Sequence, residues 1–197
     1  MNVVLDWDGT VTEVDGLYEV VRTFGDPRVY EETEERLGRD LTLNEVIAIE
    51  VETVAAPLEV VVAWVRENVE VRRGFREFAL EHRPMVSSSG LRELIEPVLE
   101  RESLKLEVRA NRLEPGRDGW RVRFRSDVLC AVCGEQCKRA DVAGLGGFVY
   151  VGDGVSDRCI ALAASRVFAR DGLAEYLTAL GVHFEPFEDF HDVARVL

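Results

Sequence analysis

Basic residues, long apolar runs and widely spaced cysteines are all scarce in this sequence of 197 residues. Lysine and arginine number 24 against 37 aspartates and glutamates, which gives a formal charge of -13. A surface of that sign repels nucleic acids and anionic membranes, so we expect neither as a partner. An anionic ligand would need a local pocket that carries a cation or a metal ion.

Signals for export and membrane insertion are missing as well. No apolar run reaches the length of a membrane span, and no basic, apolar, cleavable leader precedes the apolar run that begins at residue 3. The four cysteines, three of them within CAVCGEQC, are too few and too clustered for a secreted disulfide scaffold. We therefore expect a cytoplasmic protein.

What is present is the composition of an ordinary globular protein, with 47% hydrophobic and 31% charged residues. Four short apolar runs predict parallel strands buried on both faces: VVLDW (3–7), PMVSS (84–88), FVYVGDG (148–154) and RVFA (166–169). Helical patterns separate them. The fold class that follows is α/β, with a doubly wound parallel sheet.

Two further segments refine this α/β prediction. LRELIEPVLE (91–100) has the apolar spacing of an amphipathic helix, and Pro97 predicts a kink or an early end there. Two alternating stretches within 104–125 flank EPGRDG, which is typical of a hairpin. We therefore expect a β-hairpin excursion from the α/β core.

Residues 14–73 have another character, because they are helical in pattern throughout. TLNEVIAIEVETV places apolar side chains on one helical face, and Pro57 stands where the next helix would begin. This predicts a small helical domain at 14–73, inserted into a core made of residues 1–13 and 74–197.

The first apolar run ends in two carboxylates, Asp6 and Asp8, followed by Gly-Thr. Side chains two apart on an extended strand point the same way, so both carboxylates could face one pocket. Such a pair could supply a nucleophile and a proton donor for phosphate ester hydrolysis. Asp and Gly are equally common in plain turns, and DxDG alone does not decide between the two interpretations.

Three later stretches bear on that choice. PMVSSSG would place Ser88 or Ser89 at the N-terminus of the following helix, where a phosphate or a simple cap would fit. Lys138 begins KRADVAGL just before FVYV, and VGDGVSD places Asp153 at a strand end with Asp157 four residues later. Each of these is common by itself as surface charge or a turn.

In combination, DWDGT, SSSG, Lys138 and GDGVSD resemble the haloacid dehalogenase-like hydrolase superfamily along essentially the whole chain. The resemblance implies a Rossmann-like sheet and an aspartyl-phosphate on Asp6. It makes Asp8 the general acid and then the base. It also implies a Mg²⁺ ion held by Asp6, the Asp8 carbonyl and Asp153.

The same resemblance assigns the remaining residues of the phosphate site. Asp157 would orient the metal waters or Lys138. The hydroxyl of Ser88, nearby backbone N–H groups and Lys138 would hold the phosphoryl oxygens. Ser88 is preferred to Ser89 because the hydroxyl usually lies two residues before the glycine, here Gly90; all three are candidate substrate-binding residues.

Reaction class and substrate follow from the same comparison. Dehalogenases of the superfamily lack the second carboxylate, so Asp8 favours phosphoryl transfer. The insert 14–73 resembles the cap of the phosphoserine phosphatase-like branch, with Asp15, Tyr18 and Phe24 as candidate substrate contacts; core packing explains the two aromatics equally well. Within that branch GDGVSDRC, the hairpin and HFEPFEDFHDV look most like 2-hydroxy-3-keto-5-methylthiopentenyl-1-phosphate phosphatases.

The cysteines form a second candidate metal site. Cys130, Cys133 and Cys137 give CxxCxxxC directly before Lys138, and Cys159 could be a fourth zinc ligand. Buried thiols and a redox-sensitive CxxC are the alternatives. The histidines His82, His183 and His191 show no ligand spacing and are taken as structural, although His183 could also serve zinc.

The prediction is thus a Mg²⁺-dependent phosphatase, a monomer or homodimer, acting on a small phosphorylated metabolite such as a methionine-salvage ketose phosphate. Phosphoserine phosphatase and a phosphotransferase are alternatives that would use the same core residues. A non-catalytic relative that binds a phosphorylated ligand, and an interaction module organised by zinc, are alternatives of another class.

Overall fold

A seven-stranded sheet organises the protein in the computed structural model, which describes residues 2–115 and 119–197. The order across the sheet is fourth, third, second, first, fifth, sixth and seventh strand, and within the described residues only the fourth is antiparallel to its neighbour. The strands are β1 (Asn2–Leu5), β2 (Met85–Leu91), β3 (Glu107–Pro115), β4 (Trp120–Arg123), β5 (Phe148–Gly152), β6 (Arg166–Ala169) and β7 (Glu185–Pro186).

Helices follow the strands and fill the long connection between β1 and β2. Two short 3₁₀ helices, Lys138–Val142 and Val155–Asp157, flank β5. The α-helices are α1 (Gly16–Phe24), α2 (Pro27–Arg36), α3 (Leu43–Glu52), α4 (Leu58–Asn68), α5 (Phe75–His82), α6 (Arg92–Arg101), α7 (Arg158–Ala161), α8 (Asp171–Ala179) and α9 (Phe190–Val196).

Both faces of the central strands are covered by apolar side chains. Val3 and Leu5 of β1 belong to one buried cluster, whereas Val4 between them belongs to another. Since successive side chains of a strand point to opposite faces, the two clusters lie on opposite sides of the sheet. This is the doubly wound α/β arrangement that the uninterrupted apolar runs predict, and the fold class is confirmed.

Strand β1 lies at the point where the chain order across the sheet reverses. It pairs in parallel with β2 on one side and β5 on the other, with Val4 opposite Met85 and Tyr150. In open α/β sheets, the crevice for ligands forms at the carboxyl ends of strands at such a position. The chain that leaves β1 after Leu5 therefore enters that crevice.

Helices α1–α4 fall within residues 14–73, and each of the first three begins with a side-chain cap. Asp15 accepts a bond from the Tyr18 N–H, Asp26 caps α2 ahead of Pro27, and Thr42 forms a capping box at α3. A bridge between Thr12 and Val71 closes the base of the insertion. One apolar cluster continues from the sheet into these helices, so the division into a core and a separate cap domain stays a prediction.

Arg72 holds the base of the insertion to the turn after β1. Its guanidinium is buried and donates to the carbonyl oxygens of Gly9 and Thr10 at 2.8 and 3.0 Å, and it lies 2.8 Å from a Glu13 carboxylate oxygen. Arg72 thereby joins the end of the insertion to the loop that follows the first strand.

Two sequence-based expectations require correction. Of the kink or early end predicted at Pro97, the early end is wrong, because helix α6 continues through Pro97 to Arg101. The serines do not lie at the N-terminus of this helix, because β2 extends to Leu91 and the helix begins at Arg92 without a side-chain cap. Ser88 therefore reaches the crevice from the end of a strand.

The predicted hairpin is present as β3 and β4, with Leu113 opposite Val122. It is an extension of the main sheet, because β3 also pairs in parallel with β2. Residues 116–118 of the predicted EPGRDG turn lie outside the described residues. Across the described ranges, no helix combines the length and apolar character needed to span a membrane.

Helices α2 and α3 are joined by a buried polar contact between Thr33 and Glu50. The Thr33 hydroxyl donates to a Glu50 carboxyl oxygen at 2.7 Å, and the Glu50 residue is only 2% exposed. Burial raises the pKa of Glu50 to about 8, although the bond from Thr33 opposes the shift. The folded protein therefore holds a proton on Glu50 that the unfolded chain releases at lower pH.

This proton linkage gives a test of the helical insertion. Glu50 should contribute its full stability in acid and lose it as pH rises through about 8, because its folded pKa lies above its unfolded pKa. We expect the free energy of unfolding of E50Q, relative to that of the parent protein, to rise by roughly 1–3 kcal/mol between pH 5 and pH 9. Urea unfolding at both pH values measures this difference, with E52Q on the exposed end of α3 as control. Identical pH dependence in E50Q and the parent would contradict the assignment.

Candidate active site

The predicted carboxylates and hydroxyls meet in one cavity of about 180 Å³ at the carboxyl ends of the central strands. Asp6 and Asp8 enter it from the turn after β1, Ser88 from β2 and Asp153 from the end of β5. These segments are far apart in sequence, and the parallel pairing of β1 with β2 and β5 brings their ends together. The fold therefore brings these four predicted residues to one cavity.

Lys138 lies behind Asp6, at the bottom of this crevice. Its side chain is fully buried, and Nζ lies 2.5 Å from Asp6 Oδ1 and 2.7 Å from Asp157 Oδ1. Burial disfavours the charged amine, but the two carboxylates outweigh that effect and raise the pKa of Lys138. The amine therefore contacts the candidate nucleophile directly and is not itself exposed in the cavity.

The 3₁₀ helix that carries Lys138 is anchored at its other end. Asp141 accepts a 2.6 Å bond from the Ser87 hydroxyl and forms an ion pair with Arg125 at 3.1 Å. Arg125 also donates to the Ser88 carbonyl at 2.6 Å. Strand β2, the lysine segment and the chain after β4 are thus held in one arrangement, which the sequence motifs do not reveal.

Asp157 uses both oxygens inside the protein. Oδ1 accepts from Lys138 and from the Tyr150 hydroxyl at 2.5 Å, and Oδ2 accepts from the N–H groups of Asp153 and Gly154 at 2.8 and 2.9 Å. Burial opposes ionisation, but Lys138 and these donors hold the pKa of Asp157 below its usual range. This arrangement favours orientation of Lys138, rather than of metal waters, as its role.

Asp153 packs against the turn that follows β1. The Thr10 hydroxyl donates to Asp153 Oδ1 at 2.5 Å, and Gly9 has a positive φ of 74°. A Cβ on Gly9 would lie 2.4 Å from Asp153 Oδ2, so only glycine allows the carboxylate to approach this closely. The Gly-Thr of DWDGT thereby positions a carboxylate that is 143 residues distant in sequence.

Negative charge is in excess around the lysine. Carboxylate oxygens of Asp6, Asp153 and Asp157 lie within 4.8 Å of one another, with the single amine of Lys138 between two of them. Burial and the Asp157 charge raise the pKa of Asp153 to about 7, and burial likewise raises the pKa of Asp6. A cation bound by these oxygens would remove the excess.

Asp8 also lines the cavity. Its Oδ1 accepts a 2.8 Å bond from the Gly16 N–H at the start of α1. Burial, reinforced by the charge of Asp15, raises the pKa of Asp8 to about 7. A carboxyl group with this pKa exchanges protons readily near neutrality, as a general acid and base must.

Ser88 and Gly90 form the wall next to Asp8. Ser88 Oγ accepts a 2.9 Å bond from the Gly90 N–H, which leaves the hydroxyl proton available to a ligand. A Cβ on Gly90 would lie 2.8 Å from Asp8 Oδ2, so a side chain there would displace the carboxylate. Ser89 also lines the cavity, while its carbonyl accepts from Asn111 at 2.7 Å.

The helical insertion supplies another wall of the cavity, and the sequence motifs do not predict most of its residues. Of the predicted contacts, Asp15 lines the cavity while capping α1. The unpredicted side chains are the acids Glu34 and Glu50, the phenol Tyr30, and an apolar group. That group consists of Leu17, Leu37, Leu43, Val46 and Ile47. Glu50 follows Val46 by one helical turn, so the sequence places an acid on the apolar face of this helix. That pattern could have identified Glu50 as a lining residue.

The two aromatic candidates of the insertion pack against other rings. Phe24 meets Trp64 edge-on at 5.7 Å, and Tyr18 lies 4.6 Å from Tyr30. Neither Tyr18 nor Phe24 is among the described residues that line the cavity. These positions favour the core-packing alternative over direct substrate contact.

The remaining candidates lie elsewhere. His82, His183 and His191 do not line this cavity within the described ranges, and His82 stacks on Phe78 at 4.5 Å. The four cysteines are brought together in a separate cluster, with all four sulfurs within 4.8 Å of one another.

Comparison with known proteins gives relatives along the full chain, although no family profile matches. The chain is 27% identical to a 2-hydroxy-3-keto-5-methylthiopentenyl-1-phosphate phosphatase of Exiguobacterium sp., covering all of this chain and 96% of that protein. The protein of the same name from Bacillus thuringiensis is 26% identical, with 95% of its length covered.

Solved structures give the same fold. A substrate-bound phosphoserine phosphatase superposes with a TM-score of 0.73 at 16% identity, over all of this chain and 98% of that one. A phospho-aspartyl intermediate analogue of phosphoserine phosphatase gives 0.72 at 17% identity, with 99% and 97% covered. Taken with the full-length relatives, these matches confirm the predicted resemblance to the haloacid dehalogenase-like hydrolases and the predicted enzyme class, a phosphatase.

Proposed function

We propose that this phosphatase hydrolyses a small phosphorylated metabolite, with the help of Mg²⁺, through an aspartyl-phosphate on Asp6. The observation that carries the proposal is the buried contact of Lys138 with Asp6, at 2.5 Å, behind a cavity that Asp6 and Asp8 both line. The amine favours the ionised form of Asp6 and fixes the direction of its carboxylate. A carboxylate held in this way is suited to act as a nucleophile.

The first half of the reaction transfers the phosphoryl group to the protein. A carboxylate oxygen of Asp6 attacks phosphorus, the ester P–O bond breaks, and the leaving oxygen takes a proton from Asp8. Ser88 is placed to donate its hydroxyl proton to a phosphoryl oxygen, since its Oγ already accepts from Gly90. Lys138 keeps Asp6 ionised and oriented until its oxygen attacks.

The second half releases phosphate. Asp8, now ionised, takes a proton from a water molecule whose oxygen attacks phosphorus. The P–O bond to Asp6 breaks, and both the Asp6 carboxylate and a protonated Asp8 are restored. The pKa of about 7 suits Asp8 to both directions of proton transfer.

The donor set fits Mg²⁺, which prefers oxygen ligands. Asp6 and Asp153 would hold the ion together with the Asp8 carbonyl, and the excess of buried carboxylates over Lys138 leaves negative charge for a cation to neutralise. Bound there, Mg²⁺ would supply charge neutralisation for the phosphoryl oxygens. Asp157 would keep its role beside Lys138.

The cavity walls favour a leaving group without a carboxylate. Asp15 and Glu34 face the space beyond the phosphate site, together with Glu50, which is protonated at neutral pH, and no lysine or arginine among residues 2–115 and 119–197 lines it. The apolar wall offers a surface to an uncharged chain. A phosphorylated ketose, such as the one named for the curated relatives, fits this surface better than phosphoserine, whose ammonium could meet Asp15 or Glu34 but whose carboxylate would find no lysine or arginine.

Replacement of the nucleophile tests the proposed reaction. The parent protein should release phosphate from an aryl phosphate with stimulation by Mg²⁺, and D6N should lose that activity, because an amide cannot form the acyl-phosphate. A colorimetric phosphate assay measures both. D127N, which changes an exposed aspartate in the same way, should retain the parent rate. Comparable activity in D6N and D127N would remove Asp6 from the mechanism.

A charge substitution tests the substrate class. We expect kcat/KM for a methylthio-ketose 1-phosphate to exceed kcat/KM for phosphoserine. E34Q should reduce this ratio, because it removes a carboxylate that repels the carboxylate of phosphoserine. The matched control is E31Q, an exposed position on the same helix. A parent enzyme that prefers phosphoserine, with no effect of E34Q on the ratio, would refute this assignment.

A further inference from the structure

All four cysteines of the chain converge at one place that the phosphatase reaction does not use. Cys130, Cys133 and Cys137 come from the segment that precedes Lys138, here called the cysteine loop (residues 126–137). Cys159 comes from α7. Their four sulfurs lie within 4.8 Å of one another, and the Cys130 and Cys159 sulfurs are 3.8 Å apart.

These separations have the size of a tetrahedral site for one ion. Zinc binds thiolate sulfur at about 2.3 Å, so the edge of a ZnS₄ tetrahedron is about 3.8 Å. The Cys130–Cys159 separation equals that edge, and the remaining sulfurs need move by no more than roughly an ångström to reach it. Disulfides need sulfurs about 2.05 Å apart, whereas all four cysteines are free and the Cys130 and Cys159 sulfurs are 3.8 Å apart.

Hydrogen-bond donors face two of the four sulfurs. The Val132 N–H donates to Cys130 Sγ at 3.4 Å, and Arg139 donates to Cys159 Sγ at 3.6 Å. Gly134, with a positive φ of 78°, turns the chain directly after the CxxC pair. Cys133 is exposed, which gives an ion a path into an otherwise partly buried cluster.

We infer that the chain binds one zinc ion through Cys130, Cys133, Cys137 and Cys159. All four positions of the tetrahedron are filled by protein sulfur, which is the arrangement of structural zinc sites rather than catalytic ones. The ion would join the cysteine loop to α7. Cys137 immediately precedes Lys138, and Cys159 follows Asp157 by two residues, so this connection would brace both ends of the buried ion pair.

Metal analysis of the purified, reduced protein tests the site independently of any phosphatase activity. We expect about one zinc per chain after dialysis against a weak chelator. Since the cluster contains every cysteine, a thiol reagent should react slowly until a strong chelator removes the zinc, and then titrate all four thiols. C133S should lose zinc, whereas V132S, at an exposed position of the same loop, should keep it.

Cobalt substitution keeps the test decisive if C133S fails to fold. Parent protein reconstituted with Co²⁺ should show the visible and near-ultraviolet absorption of a tetrahedral tetrathiolate site. Four freely reacting thiols with no bound metal, a disulfide in protein purified without reductant, or stoichiometric iron in place of zinc would each overturn the inference.

Discussion

The buried amine of Lys138 is the contact on which the rest of the site depends. It joins Asp6 at the end of the first strand to Asp157 after the fifth, in a place that water does not reach. Removal of the amine would leave two carboxylates unpaired in a buried site, which is strongly unfavourable. The catalytic carboxylate and the strand ends around it are therefore positioned by a single charge.

The other polar groups of the site lie around the Lys138 amine and hold one another by hydrogen bonds. Asp157 accepts hydrogen bonds from five donors and in turn fixes Lys138, while Asp153 is held against the Gly9–Thr10 turn. The excess of carboxylates over amines suits a divalent cation. Asp8, which also lines the cavity, is half-buried and has no lysine or arginine ion pair in the described structure, and its desolvation raises its pKa to about 7.

Much of this arrangement is predictable from the sequence, because local patterns encode it. Asp6, Asp8 and Asp153 each follow an apolar run, and the carboxyl ends of parallel strands must meet at one edge of the sheet. What local patterns do not encode is long-range contact. The anchoring of the lysine segment through Asp141 and Arg125 depends on side chains that meet only after folding, and so does the approach of Glu34 and Glu50 to the cavity.

Chemical trapping of the phosphorylated protein tests the central claim, that the carboxylate paired with Lys138 is the nucleophile. D8N should turn over roughly 10²–10⁴-fold more slowly than the parent, and it should accumulate the acyl-phosphate because hydrolysis lacks its base. Borohydride reduction of D8N after mixing with an aryl phosphate should convert residue 6 to homoserine, as identified by peptide mass spectrometry. Phosphate release at the parent rate, or homoserine at a position other than 6, would contradict the account.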